Sequence, residues 1–338
     1  MDDTQDTRRI AWHRTRIDRA TLAALNQRSD ALGLLQTLGY LSVLTATGAA
    51  AWYASAQQAW AWFALALFVH GTCYAFMVNG FHELCHSTVF RTQWLNVFFL
   101  HLLSFLGWLN PVHFWTSHQE HHKYTLHPPE DGEVVLPQKL TLKGYLKGGF
   151  VNPWGLYFTL RNVVRRAVFG KLQPGWESVL FPPANADGRR RLFRWDRVLL
   201  AGHGLLVGVS LYLGAWQLPV LVTLAPFWGA WLHLLCNTTQ HIGLQDNVPD
   251  FRLCTRTILL GPVVRFLYWH MNYHIEHHMY AAVPCYRLGA LHAAIRHELP
   301  HCPRGLVAAW RQILPILRRQ RVEPDYQFVP ELPVPVAG

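Results

Sequence analysis

Three segments carry the residue types and spacings best suited to chemistry: His82-Glu83-Leu84-Cys85-His86, His118-Gln119-Glu120-His121-His122 and His274-Ile275-Glu276-His277-His278. On a helix, residues three and four apart share a face, so each segment aims two or three imidazoles at one point. Imidazole is a ligand for iron, zinc, copper and nickel. The pattern His-x-x-His-His is expected roughly 0.07 times by chance at this histidine content, yet it occurs twice. A single catalytic zinc is satisfied by fewer protein ligands than these segments supply, so they imply two metal ions. A two-metal, nearly all-imidazole site suits oxidation at iron better than hydrolysis at zinc.

Two other classes fit part of the pattern. The first segment also reads as the His-Glu-x-x-His of a zinc metalloprotease, with His82 and His86 as ligands and Glu83 as general base. That reading leaves the other two segments unexplained. A transporter or metal scaffold without catalysis expects histidines scattered through the spans at mid-membrane depth, whereas these cluster beside the apolar runs. Each box also holds a glutamate. Glu83, Glu120 and Glu276 are expected to orient ligand imidazoles through the other ring nitrogen, as is His270, which lies off the register of the third box. Cys85 is expected to pack as a small apolar residue.

The elements that must position these boxes are membrane elements. The chain has 338 residues, 51% hydrophobic and only 15% charged, against about 25% charged in soluble domains. Residues 31–82 and 198–245 contain no Asp, Glu, Lys or Arg, which excludes an ordinary water-soluble enzyme. The fold class expected is all-α and polytopic. Four transmembrane helices in two hairpins, near 31–53, 59–80, 198–216 and 219–235, would carry a helical cytoplasmic domain holding a dimetal site. The run at 95–109 is short for a crossing and suits a re-entrant or interfacial helix. A full crossing there would also separate the boxes onto opposite faces. Residues 1–30 form a cytoplasmic N-terminal segment, with six Arg and no signal-peptide cleavage site. Residues 31–322 form the membrane domain, and 323–338 a flexible Pro-rich tail.

The net charge of +10 reads first as topology, because Lys and Arg collect on the cytoplasmic side. Between 139 and 197 there are twelve Lys or Arg and three acids. Asn152-Pro153-Trp154 opens an amphipathic stretch expected to lie on the bilayer surface. Nucleic-acid binding is excluded, since basic and aromatic residues do not interleave along an exposed element. The six Cys show no paired spacing and read as reduced thiols.

With its boxes in this order, the chain resembles the integral-membrane fatty acid desaturase and hydroxylase superfamily, a three-His-box, non-heme di-iron group, and within it a bacterial branch. The resemblance covers roughly residues 30–300. It implies His82, His86, His118, His121, His122, His274, His277 and His278 as ligands of two Fe ions. By analogy with the acyl-CoA desaturases, His241 in Asn237-Thr238-Thr239-Gln240-His241 becomes a ninth ligand, and Asn237 one acting through water. O2 is implied as co-substrate, with electrons from an external donor such as a ferredoxin or rubredoxin. The activity implied is a fatty acyl (lipid) desaturase. Hydroxylation, or desaturation of a small amino-acid-derived metabolite, is the alternative. The site would face the cytoplasm from a bacterial inner membrane. The chain departs from many relatives in two ways: it has no fused heme motif, and Phe114-Trp115-Thr116-Ser117 stands where a basic residue often precedes the second box.

Overall fold

The computed structural model describes residues 9–138 and 140–333. It is all-α: among the described residues there is no sheet, only three isolated bridges. A short helix, α1 (Arg19–Leu25), leads to the long α2 (Asp30–Ala56). Ser29 caps α2 by accepting from Leu32 N, and Asp30 sits in its first turn. Gln57 and Gln58, the latter at φ 55, turn the chain into α3 (Trp60–Tyr74), which runs on through α4 (Met77–Cys85). Among the described residues, Asp30–Ala56 and Trp60–Cys85 are each long and apolar enough to cross a membrane, and the bent pair Gln93–Leu106 and Pro111–Tyr124 would be a third if it forms one span. The second was expected to end near residue 80. It continues through the first His box, because no helix breaker intervenes before Ser87, which turns at φ 57.

Small buried residues of α2 (Gly48, Ala51, Ala54, Ser55) let the pair approach closely. Apolar side chains such as Leu35, Trp62 and Leu65 point outward, as lipid-facing side chains do. The run expected near 95–109 forms α5 (Gln93–Leu106). It then bends by 106° into α6 (Pro111–Tyr124), which carries the second box. Asn110 makes this corner. Its side-chain oxygen accepts from Val112 N and His113 N, Pro111 opens the helix, and its amide donates to Leu192 O and Asp196.

Helices α7 (Leu142–Gly149), α8 (Pro153–Ala167) and α9 (Trp176–Leu180) fill the basic region. α8 is the expected amphipathic helix. It buries Val163 and Ala167 and leaves Trp154, Tyr157 and Phe158 exposed. α10 (Ala186–Tyr212) is basic in its first half and apolar in its second.

The return limb differs from the single span expected at 219–235. It is broken into α11 (Gln217–Leu221), a 3-10 turn at Ala225–Phe227 and α12 (Trp231–Asn237). Two prolines, Pro219 and Pro226, cannot donate to a helix, and Gly229 takes φ +72 against the backbone of α3. The freed carbonyls are met by side chains. His70 Nε2 reaches Leu221 O at 2.9 Å, Tyr74 OH donates to Val222 O at 3.3 Å, and Trp108 Nε1 donates to Thr223 O at 2.9 Å. His203 lies stacked between Phe105 and Trp108 and reaches Thr223 Oγ1. Irregular backbone in an apolar setting persists only where it is satisfied in this way.

The remainder comprises α13 (Phe251–Cys254), α14 (Pro262–Leu267), α15 (His274–Met279), α16 (Leu288–Ile295) and α17 (Leu306–Gln320). The tail expected to be flexible from Glu323 is extended but docked. Phe328 N donates to Gly243 O, and Gln327 Nε2 to Asp246. Residues 334–338, the rest of that expectation, lie outside the described residues.

Candidate metal centre

The nine histidines singled out above converge from four places in the chain. α4 supplies His82 and, at its C-terminal cap, His86. α6 supplies His118, His121 and His122. The turn after α12 supplies His241, and α15 supplies His274, His277 and His278. They form two adjacent groups, His82, His86, His118, His122 and His277 in one and His121, His241, His274 and His278 in the other. Within each group, one ligand atom per residue lies within 4.8 Å of the others. Both His-x-x-His-His boxes are divided. The i, i+4 pair His118/His122 faces the first group and His121 the second. His274/His278 faces the second group and His277 the first. Neighbouring helix residues point about 100° apart, so consecutive histidines serve different sites. The rings of His122 and His278 are stacked 4.5 Å apart where the groups meet.

Five of the nine rings are aimed by what their outer nitrogen bonds. His82 Nδ1 donates to Glu83 at 3.0 Å, His118 Nδ1 to Glu133 at 2.9 Å, His121 Nδ1 to Asp131 at 2.8 Å and His241 Nδ1 to Cys254 O at 2.9 Å. His278 Nδ1 meets Thr125 Oγ1 at 3.2 Å. With their protons held on Nδ1, the Nε2 atoms turn bare lone pairs inward and crowd together. His82 and His118 approach to 2.7 Å, His118 and His122 to 3.0 Å, His122 and His277 to 3.2 Å, His241 and His274 to 2.9 Å, and His274 and His278 to 3.1 Å. His86 Nε2 is buried with no hydrogen-bond partner. Facing lone pairs in a buried space repel unless cations lie between them, so this donor set fits two metal ions of the kind imidazole binds. Burial, and then the neighbouring imidazoles, push the pKa of His274, His277 and His278 well below the ordinary value. Burial pushes His241 down to about 3. All four are therefore neutral, ligand-ready rings at neutral pH.

The glutamates of the three boxes make different outer contacts. Glu83 accepts from His82 Nδ1 at 3.0 Å and also lies 3.7 Å from His277 Nδ1. Glu120 pairs instead with Lys123 at the surface, because its position in α6 faces away from the box. Glu276 is fully buried but bonds Thr257 and His292 rather than a box histidine. His270 stands at φ 60 in the turn before α15 and belongs to neither group. Asn237 is exposed and lines a cavity of about 250 Å³ with His241. Cys85 packs in the apolar core.

Sequence reasoning missed Glu133, Asp131 and Arg256. The two acids lie in the loop after the second box, ten and fifteen residues from the imidazoles they hold. Acids closely following a box were the available signal. Asp131 also accepts from the backbone N–H groups of Leu126, Glu133 and Val134, so one carboxylate both shapes the loop and aims His121. Glu83 is 1% exposed and accepts from His82 Nδ1.

A sequence profile described as fatty acid desaturase matches residues 58–307. Among characterised proteins, the chain is similar to an sn-1 oleoyl-lipid 12-desaturase of Arthrospira platensis, 27% identical over 231 residues. That match spans 63% of this chain and 62% of the relative, less than two thirds of its length. The chain is also similar to an sn-1 acyl-lipid omega-3 desaturase (ferredoxin) of Nostoc sp. (strain 36), 28% identical over 256 residues, 70% of this chain and 67% of the relative.

Proposed function

The chain belongs to the fatty acid desaturase family, and from that membership we propose that it is a membrane-bound, O2-dependent di-iron oxidoreductase that introduces a C=C bond into the acyl chain of a lipid. The observation that carries this reading is the pair of adjacent imidazole groups, five of whose outer nitrogens are held by protein acceptors. The first group would hold one iron and the second the other, with Asn237 near the second through water. Two irons held there would supply, with O2 and two external electrons, the oxidising power needed to remove hydrogen from an unactivated methylene.

The rest of the work falls to this chain's own residues. Glu83, Glu133, Asp131, Thr125 and the Cys254 carbonyl keep the rings of His82, His118, His121, His278 and His241 in one tautomer and one orientation. Phe114 packs on His82 and His118, Trp115 on His86 and Phe251 on His278, and these rings would exclude water from the centre. α2, α3–α4, the apolar half of α10 and the broken return limb make four crossings, with the centre on the cytoplasmic side. The Nostoc relative is named for ferredoxin, and a carrier of that kind is the electron donor proposed here. The lipid substrate follows the two relatives, both named for lipid-bound acyl groups.

Mass spectrometry of lipids and small metabolites from cells with and without the chain tests this reading. Acyl lipids that lose two hydrogens, in proportion to expression and only with O2, are the expected result. Gain of an oxygen atom, or change confined to small metabolites, overturns it. His118→Ala and His277→Ala should each abolish the product while the protein stays in the membrane.

A further inference from the structure

Residues 254–258 form a short splint between the two sources of the second imidazole group. On one edge, Cys254 O accepts from His241 Nδ1, and Arg256 N donates to Gln240 O at 2.8 Å. On the other edge, Ile275 N donates to Thr257 Oγ1 at 3.2 Å, and Thr257 Oγ1 donates to Glu276. Ile258 and Asn272 exchange two hydrogen bonds, Ile258 N to Asn272 O and Asn272 Nδ2 to Ile258 O. The His241 turn and α15, distant in sequence, are thus pinned to the same five residues.

Arg256 is the unusual member. It is 6% exposed, and among the described residues no carboxylate lies within ion-pair distance of it. Its guanidinium Nη1 donates to Thr239 O at 2.6 Å and to Ile242 O at 3.2 Å. Those carbonyls flank His241 on both sides. A buried cation without a counter-ion is costly, and here its Nη1 amino group closes the turn that ends α12, where carbonyls lack helical partners, while Nη2 is buried with no partner. Burial lowers its pKa only to about 10, so it remains a cation at neutral pH. Its hydrogen bonds reach only this turn, not the elements that carry His82, His86, His118 and His122.

We propose that Arg256 is the positioning residue that completes the second metal site, holding the Thr239–Ile242 turn so that His241 Nε2 meets His274 and deciding whether the chain binds one ion or two. This rests on the dimetal reading above.

The test is a Co2+ titration of the detergent-solubilised, metal-free full chain, followed by visible absorption and counted by elemental analysis. The native chain should take up two ions. Arg256→Met should keep the first affinity and lose at least about 10-fold in the second, the scale on which removing an outer contact acts. His241→Ala should show the same pattern, and combining the two should add little further loss. Arg256→Lys should fall between native and Met, and it carries the test if the Met variant does not fold. Equal weakening of both sites in the folded Lys variant would overturn the proposal, as would unchanged or tighter second-site binding in either variant. Uptake of fewer than two ions by the native chain would instead refute the dimetal reading.

Discussion

Glu133 and Glu120 have the same chemistry and lie thirteen residues apart, yet only Glu133 reaches an imidazole: it accepts from His118 Nδ1, while Glu120 pairs with Lys123 in solvent. Glu133→Ala should therefore weaken metal binding about 10–100-fold, and Glu120→Ala should leave it unchanged in the same equilibrium titration. The box histidines are legible because their spacing is itself the signal: i, i+3 and i, i+4 residues share a helix face wherever the helix lies. Glu133, Asp131 and Arg256 have no such local signature. They act through loops that close onto the rings only in the folded chain, so their roles are set by tertiary structure.

The same burial gives a pH dependence. His241, His274, His277 and His278 have folded pKa values below the ordinary value of about 6.5. As pH falls through that value, the unfolded chain takes up protons that the folded, metal-free chain refuses, so stability must drop. Thermal unfolding of chelator-treated protein should move to lower temperature between about pH 7 and pH 5, and bound metal should oppose the fall.

Among the elements, the return limb was the least legible. Pro219, Pro226 and Gly229 were visible signals, yet the uncharged run around them reads as one span by hydropathy alone. The carbonyls those breaks free are satisfied from outside the limb, by His70, Tyr74 and Trp108, and no window of local sequence contains that information. At Gly229 the backbone crosses α3 so closely that an added Cβ would sit 2.6 Å from the Gly71 carbonyl carbon, at φ +72. Gly229→Ala should therefore cost more than about 2 kcal/mol, strain and overlap together. Gly214 has nearly the same φ, +71, with open space around it. Gly214→Ala should cost only about 1 kcal/mol. Unfolding midpoints of the two variants in one detergent separate the terms. In the first hairpin the turn was legible, since an uncharged run with a Ser-Ala-Gln-Gln break has few alternatives, but the extension of its second helix to Cys85 was not.

Across the whole molecule, residues 1–30 were expected as a cytoplasmic N-terminal segment; residues 1–8 lie outside the described residues, and the part from residue 9 is strapped across the imidazole groups. Trp12 stacks on Phe251 at 4.1 Å and donates through Nε1 to Lys123 O, and Phe251 in turn packs on His278. A cavity of about 820 Å³ between the strap and α6 reaches His122, and Arg9, Arg14 and Lys123 line it. Only His86 and His122 of the nine imidazoles are partly exposed. An acidic electron carrier would meet this basic side. Turnover driven by a ferredoxin should fall as salt shortens the screening length below about 10 Å, whereas turnover driven by a small neutral reductant should not.

The division of each His-x-x-His-His box between two imidazole groups carries a consequence for how α6 and α15 tolerate change. Because His121 and His122 fall in different groups, as do His277 and His278, these helices have a reading frame. One inserted residue ahead of either box rotates every downstream ring by about a quarter turn or slightly more and misdirects rings of both groups at once. An insertion in the connection between α16 and α17 would leave the frame intact.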